Sequence, residues 1–282
     1  MTQRIRLGIS TCPNDTFAFH ALMQRKVDWR GLEFQIELLD IQQLNSRAFQ
    51  GELDIAKVSF HAALFLADEM VVLPSGSALG FGVGPLLLAA KEGNRPTNSS
   101  QIALCPGEHT TATLLFQLFY PNTAGIEQVV FSEIMPRLKS KTSDFGVCIH
   151  EGRFTWQSEG LFLVEDLGTR WEAETKCPLP LGGIVGKRSL GLVALQTVQS
   201  VICDSLNYGL AHREETFPTM RYYAQEFNDE VLMQHVDLYV NAWTVQLGTV
   251  GQTALMELSE RAQKIGLVSS GQGKLKLLDE HQ

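Results

Sequence analysis

Apolar positions along this chain switch repeatedly between a period of two and a period near 3.6. Residues 32–39 carry Leu32, Phe34, Ile36 and Leu38 on alternate positions, which predicts a strand with one buried face. Short apolar runs at 5–10, 53–59, 101–105, 126–131, 144–149 and 161–167 predict further strands. Helical patterning lies between them. One helix begins near Thr16 with Phe17, Phe19, Leu22 and Met23, and another covers 41–50 and stops at Gly51. An apolar helix follows over 112–120, and one more runs through Trp171. From residue 189 the chain is mostly helical, over 189–206, 218–224, 228–240 and 249–265. Val193, Ala194, Val198, Val201 and Ile202 give the first of these a continuous apolar face. The tail after Ser269 lacks any such pattern and is expected to fray.

Two stretches interrupt the alternation. Residues 71–90 are strand-like and rich in glycine, with Gly76, Gly80, Gly82 and Gly84 ahead of Pro85. A GxGxG run with no helix after it is not a dinucleotide fingerprint, and such glycines permit bends or close backbone approach. The polar loop 91–101 predicts a crossing into a second lobe, and the proline/glycine stretch 177–184 predicts the return. On this reading lobe one comprises residues 1–90 and 185–282, and lobe two residues 91–184.

Candidate chemistry sits where strands end. The apolar run 145–149 stops abruptly in His150-Glu151-Gly152-Arg153. Ligands in open α/β sheets bind beyond the carboxyl ends of strands, and an imidazole with a pKa of about 6.5 takes up a proton near neutrality there. The plainer reading has His150 end the strand and bond a nearby carbonyl. Glu151 and Arg153 either orient that histidine or pair with each other. Cys12-Pro13-Asn14-Asp15 forms a turn in which Asn14 or Asp15 caps the following helix, or whose free N–H groups receive an anion. Lys57, near the end of 53–59, needs a reason to sit on an apolar strand. It either snorkels to solvent or holds an acidic group at the crevice. Thr110 and Thr111, ahead of the helix at 112–120, offer hydroxyls beside free N–H groups, and ordinary capping accounts for one of them.

Composition narrows the classes. With 282 residues, 44% hydrophobic and 19% charged, the chain can bury a large core. Its 23 basic and 31 acidic residues leave a net charge of −8 with no basic stripe, so nucleic acid is not an expected partner. The five cysteines, Cys12, Cys105, Cys148, Cys177 and Cys203, form no CxxC pair, which argues against a zinc ribbon or redox motif and suits a reducing compartment. No signal-peptide pattern and no span of about 18 apolar residues is present, so the expectation is a cytoplasmic protein without membrane contact.

Two α/β lobes joined by two crossings, with a helical C-terminal part returning to the first, resemble the type II periplasmic-binding-protein-like fold. More specifically, residues 8–17 (GISTCPNDTF), 54–59 (DIAKVS), 109–111 (HTT), 147–154 (VCIHEGRF) and 178–184 (PLPLGGI) resemble the 1,4-dihydroxy-6-naphthoate synthase family, over nearly the whole chain. The family often has proline where this chain has Thr11 before Cys12, a change that leaves the turn intact. The resemblance implies a lyase of menaquinone biosynthesis. It converts cyclic dehypoxanthine futalosine to 1,4-dihydroxy-6-naphthoate and releases a dihydroxyacetone-type fragment, with no metal or organic cofactor. It implies His150 as proton acceptor and substrate contacts on Lys57, Val58, Ser59, Thr110 and Thr111. Asn14 is a further candidate, for a substrate hydroxyl, and the substrate carboxylate falls either to Thr110 and Thr111 or to Lys57. Oligomeric state is not specified by the sequence.

Rival readings are weaker on the residues. A chorismate dehydratase of the same fold is disfavoured by the CPND turn and the His150 segment. A solute-binding protein has no need of an ionisable His150, and a sensory domain would need a second module. HEGR is not HExxH, and no partner base lies near Cys12 in the sequence for thiol chemistry.

Overall fold

The computed structural model describes residues 3–149, 152–224, 228–269 and 271–278. In order, its strands are β1 (Gln3–Ser10), β2 (Leu32–Leu39), β3 (Ile55–Ser59), β4 (Met70–Val72), β5 (Ala78–Gly80) and β6 (Leu86–Ala89). Then come β7 (Ile102–Cys105), β8 (Gly125–Gln128), β9 (Phe145–Cys148), β10 (Phe162–Asp166) and β11 (Leu179–Lys187). They form two sheets of mixed α/β type, β2-β1-β3-β11-β4 with β5 also on β11, and β10-β6-β9-β7-β8. Each sheet holds three parallel neighbours, β2-β1-β3 and β9-β7-β8, joined by helical connections. Each is then extended by an antiparallel strand that arrives from the other half of the chain, β11 in the first and β6 in the second.

Both crossings therefore differ from expectation. Leu86–Ala89 already pairs with Phe145–Cys148, so the chain enters the second sheet ahead of the 91–101 loop. The stretch at 177–184 is mostly strand: β11 lies between β3 and β4, with Lys57 opposite Ile184 and Ser59 opposite Gly182. Its glycines serve close packing. A Cβ on Gly183 would stand 2.6 Å from the Phe60 ring, so the residue is small because the helix after β3 presses on the sheet. Gly84 meets the backbone of Gly168 in the same way, at 2.2 Å from where its Cβ would be, which brings the first crossing onto the helix Leu167–Thr175.

Three other differences have local causes. The helix Phe131–Lys139 was not expected; Pro136 lies inside it, yet Ile134 and Leu138 still bury one face. The first helix starts at Pro13, with Cys12 as its N-cap and no side-chain cap, so neither Asn14 nor Asp15 caps it. The C-terminal tail does not simply fray: Leu278 N–H bonds Val72 O at 2.8 Å, and Leu278 is buried beside β4.

One apolar cluster runs through both halves. It joins Val58 and Phe60 beside β3 to Ala103, Leu115 and Phe145 around the second sheet. Leu255 and Leu258 of the helix Gly248–Lys264 close it from behind. The cleft lies where β1, β3 and β9 end.

Candidate active site

Alternation along β3 sorts its residues between core and cleft. Ala56 and Val58 pack into the core, whereas Lys57 and Ser59 share the other face and border a cleft of about 750 Å³, part of it open to solvent. Val58, an expected substrate contact, has its side chain in that core and its backbone paired to Gly183.

The floor of the cleft is charged and almost dry. Lys57 Nζ lies 2.6 Å from Asp15 Oδ1, with 5% and 4% of the two side chains exposed. The same ammonium donates to Gly76 O at 2.9 Å. Asp15 also accepts from Ser10 Oγ at 2.5 Å and from Asn14 Nδ2 at 3.1 Å. Asn14 Oδ1 faces His235 Nε2 at 3.1 Å, and the His235 ring packs on Tyr239 at 4.5 Å between centroids. Of the two sequence options for Lys57, it takes the acidic partner. Charges this deep are costly unless paired and hydrogen-bonded, as they are here.

The opposite rim is built from neutral groups. Thr110 caps the helix Thr111–Phe119: its Oγ1 accepts from Thr113 N and donates to Gly107 O at 2.8 Å. Thr111 Oγ1 instead donates to Leu181 O on β11 at 2.7 Å. Thr111 and Ala112 border the cleft, and their N–H groups, in the first turn of the helix, have no intrahelical acceptor. Ser59 Oγ donates to His109 O, and Asn45 bonds Ser59 through both ends of its amide, at 3.0 and 3.1 Å. Behind it, His61 Nδ1 bonds Thr110 O at 3.1 Å, and burial pushes the His61 pKa down to about 4.

Between floor and rim stands Ile149, the last described residue after β9. His150 and Glu151 lie outside the described residues. Arg153 follows on the cleft wall and pairs with Asp166 at 2.8 Å and with Gly84 O, while the expected pairing with Glu151 lies outside the described residues.

A family model described as "Menaquinone biosynthesis" matches residues 5–264. The chain belongs to the menaquinone biosynthesis family. It is 39% identical to a Thermus thermophilus protein named 1,4-dihydroxy-6-naphthoate synthase, over 95% of this chain and 97% of that one. A Streptomyces coelicolor protein of the same name is 38% identical, over 94% of each. Protein AF1704 from Archaeoglobus fulgidus superposes with a TM-score of 0.88 at 29% identity, over 94% of this chain and 98% of that chain. The ligand-binding component of an ABC-type import system from Staphylococcus aureus gives a TM-score of 0.66 at 12% identity, over 94% and 93%, and shares the periplasmic-binding-protein-like fold.

In this menaquinone biosynthesis family member the cleft gathers Asn14, Lys57, Ser59, Thr110 and Thr111. Sequence reasoning missed Asp15 as a partner for Lys57, and missed His235 and Tyr239 altogether. The last two sit four residues apart on the helix Asp229–Tyr239, a spacing that puts them on one face. That spacing was legible, but which wall the face would meet was not. The thiols of Cys105 and Cys148 are buried and pushed up to about 12 by desolvation. Among the described residues no group of three His, Cys, Asp or Glu side chains can hold a metal ion.

Proposed function

We propose that this chain is a carbon–carbon lyase that converts cyclic dehypoxanthine futalosine to 1,4-dihydroxy-6-naphthoate and a dihydroxyacetone-type fragment, with His150 as general base. Membership of the family, and close relatives named as synthases, make it an enzyme of menaquinone biosynthesis. The observation that supports the finer reading is the make-up of the cleft: a fixed ammonium, an open helix N-terminus, and Ile149, the residue before His150 in the sequence, all line it.

The chemistry follows from those groups. His150 removes the proton of a hydroxyl on the departing fragment. The O–H electron pair becomes the C=O of the fragment, and the C–C bond breaks. Its electrons pass into the ring, which becomes aromatic, and end on a ring oxygen that takes up a proton to become one of the two product hydroxyls. Proton removed and proton gained balance, so the step needs no oxidant or cofactor. The substrate carboxylate falls to the helix start at Thr110 and Thr111, where N–H groups point outward, or to Lys57. Ser59 and the backbone around Val58 border the fragment, and Asn14 bonds one of its hydroxyls. The reading calls for a small carboxylate substrate in the cytoplasm, with no nucleic acid and no membrane. No helix among the described residues is long and apolar enough to cross a membrane.

Purified protein mixed with cyclic dehypoxanthine futalosine is expected to produce naphthoate absorbance, and His150→Ala to bind substrate without turnover. Product from both proteins would discard His150 as the base. Binding without product from either would discard the lyase.

A further inference from the structure

We propose that Lys57 stabilises the negative charge developing on the ring oxygen, rather than the substrate carboxylate, and that Asp15 is the positioning residue that aims it. The inference rests on the lyase reading above and assigns one wall of its site.

An ammonium has three N–H bonds. Among the described residues two are taken, by Asp15 Oδ1 and Gly76 O, and Lys57 borders the cleft, which leaves the third for a bound molecule. The surrounding bonds leave Asp15 no freedom to turn away. Its carboxylate only accepts, so the Asn14 amide must present its NH2 to Asp15 and its oxygen to His235. The hydrogen on the His235 ring therefore sits on Nε2, and the helix Asp229–Tyr239 is tied into the same array. Ser10 Oγ closes the remaining side.

Stability alone does not call for such an array, because well-packed apolar groups of similar size serve a core as well or better. Donors held rigidly in a dry site do favour charge that appears only during reaction. A permanent carboxylate carries its charge before and during reaction alike, so pairing it with this ammonium would aid binding without speeding the chemical step. The N–H groups of Thr111 and Ala112 on the facing wall suit such a fixed charge, and there the carboxylate belongs.

The test compares two ligands: 1,4-dihydroxy-6-naphthoate and 1,4-dihydroxynaphthalene, which lacks the carboxylate, both kept anaerobic. Affinities are measured for the unsubstituted protein and for Lys57→Met, alongside turnover of cyclic dehypoxanthine futalosine. We expect kcat to fall about 10²–10³-fold, as for loss of one oxyanion donor. The ratio of the two affinities should stay within about twofold, because the substitution does not touch the carboxylate. Asp15→Asn should lower kcat by up to about 10²-fold through misaimed Lys57, with KM nearly unchanged. Should Lys57→Met fail to fold, the double variant Asp15→Asn/Lys57→Met carries the ligand comparison without a stranded carboxylate. Weakening confined to the naphthoate, or an unchanged kcat, overturns the proposal while leaving the lyase standing. Absence of naphthoate formation by the unsubstituted protein overturns the lyase itself.

Discussion

The two walls of the cleft are stabilised in opposite ways. On the floor, full charges are held by partners that all come from the first-sheet side: Ser10, Asn14, Asp15, Gly76 and His235 around Lys57. On the rim, neutral groups are held by bonds that cross between the halves of the molecule. Ser59 reaches His109 O, Thr111 reaches Leu181 O, and His61 reaches Thr110 O. A neutral hydrogen bond is worth about 1 kcal/mol net, whereas breaking a buried ion pair by removing one partner costs about 3–5 kcal/mol. The charged groups are thus held within the first-sheet side, and the bonds that join the two sides are the weaker ones.

Breaking the floor should have the largest effect. Lys57→Met strands a buried carboxylate and is expected to cost about 3–5 kcal/mol, read as a lower urea midpoint. Adding Asp15→Asn should recover most of that loss, since the remaining amide no longer needs a counter-charge. A double variant as unstable as the single one would mean that the floor holds by packing rather than by charge.

The rim should carry the pH sensitivity. His61 is driven down to about 4 chiefly by burial, with nearby His109 adding to it against the bond to Thr110 O. Its folded value lies below the unfolded one, so the unfolded chain binds the extra proton first as pH falls. Stability is full above about pH 6.5 and declines toward pH 4, by about 3 kcal/mol at most from this group. In His61→Leu the slope of urea stability against pH between those limits should flatten. An unchanged slope would move the sensitivity elsewhere. Thr111→Val should be milder. It leaves Leu181 O without its donor and costs about 1–2 kcal/mol in the same assay, with the helix N-terminus intact.

Local pattern made the floor only half visible in the sequence. Lys57 stood out because a lysine on an apolar strand demands a partner, but Asp15 read as a helix cap because Cys-Pro-Asn-Asp is a good turn. Its carboxylate turned inward because the N-cap position fell on Cys12. His235 was not singled out, since its role depends on the helix Asp229–Tyr239 packing against Pro13–Ala18, which no local pattern encodes. The same limit misassigned β11. Proline and glycine predict a loop unless the neighbour that demands the glycines is known, and that neighbour, Phe60, lies more than a hundred residues away. The alternation of strands with helices and the threonines at a helix start were legible because each rests on periodicity or capping within a few residues.

The smallest expected effect bears on what those threonines do. Thr110 is a cap, bonded to Thr113 N and Gly107 O, and Thr110→Ala should cost about 1 kcal/mol while Thr110→Ser costs little. Its effect on substrate separates two ways the rim can bind a carboxylate. If the N–H groups of Thr111 and Ala112 hold it, the alanine variant keeps its KM to within about twofold, because the helix still presents them. If the Thr110 hydroxyl is itself the donor, KM rises by about tenfold in alanine and returns in serine. The first outcome would leave the rim hydroxyls to hold the fold together and the backbone to hold the ligand, and the contrast with the side-chain charge of the floor would then extend from stability to recognition.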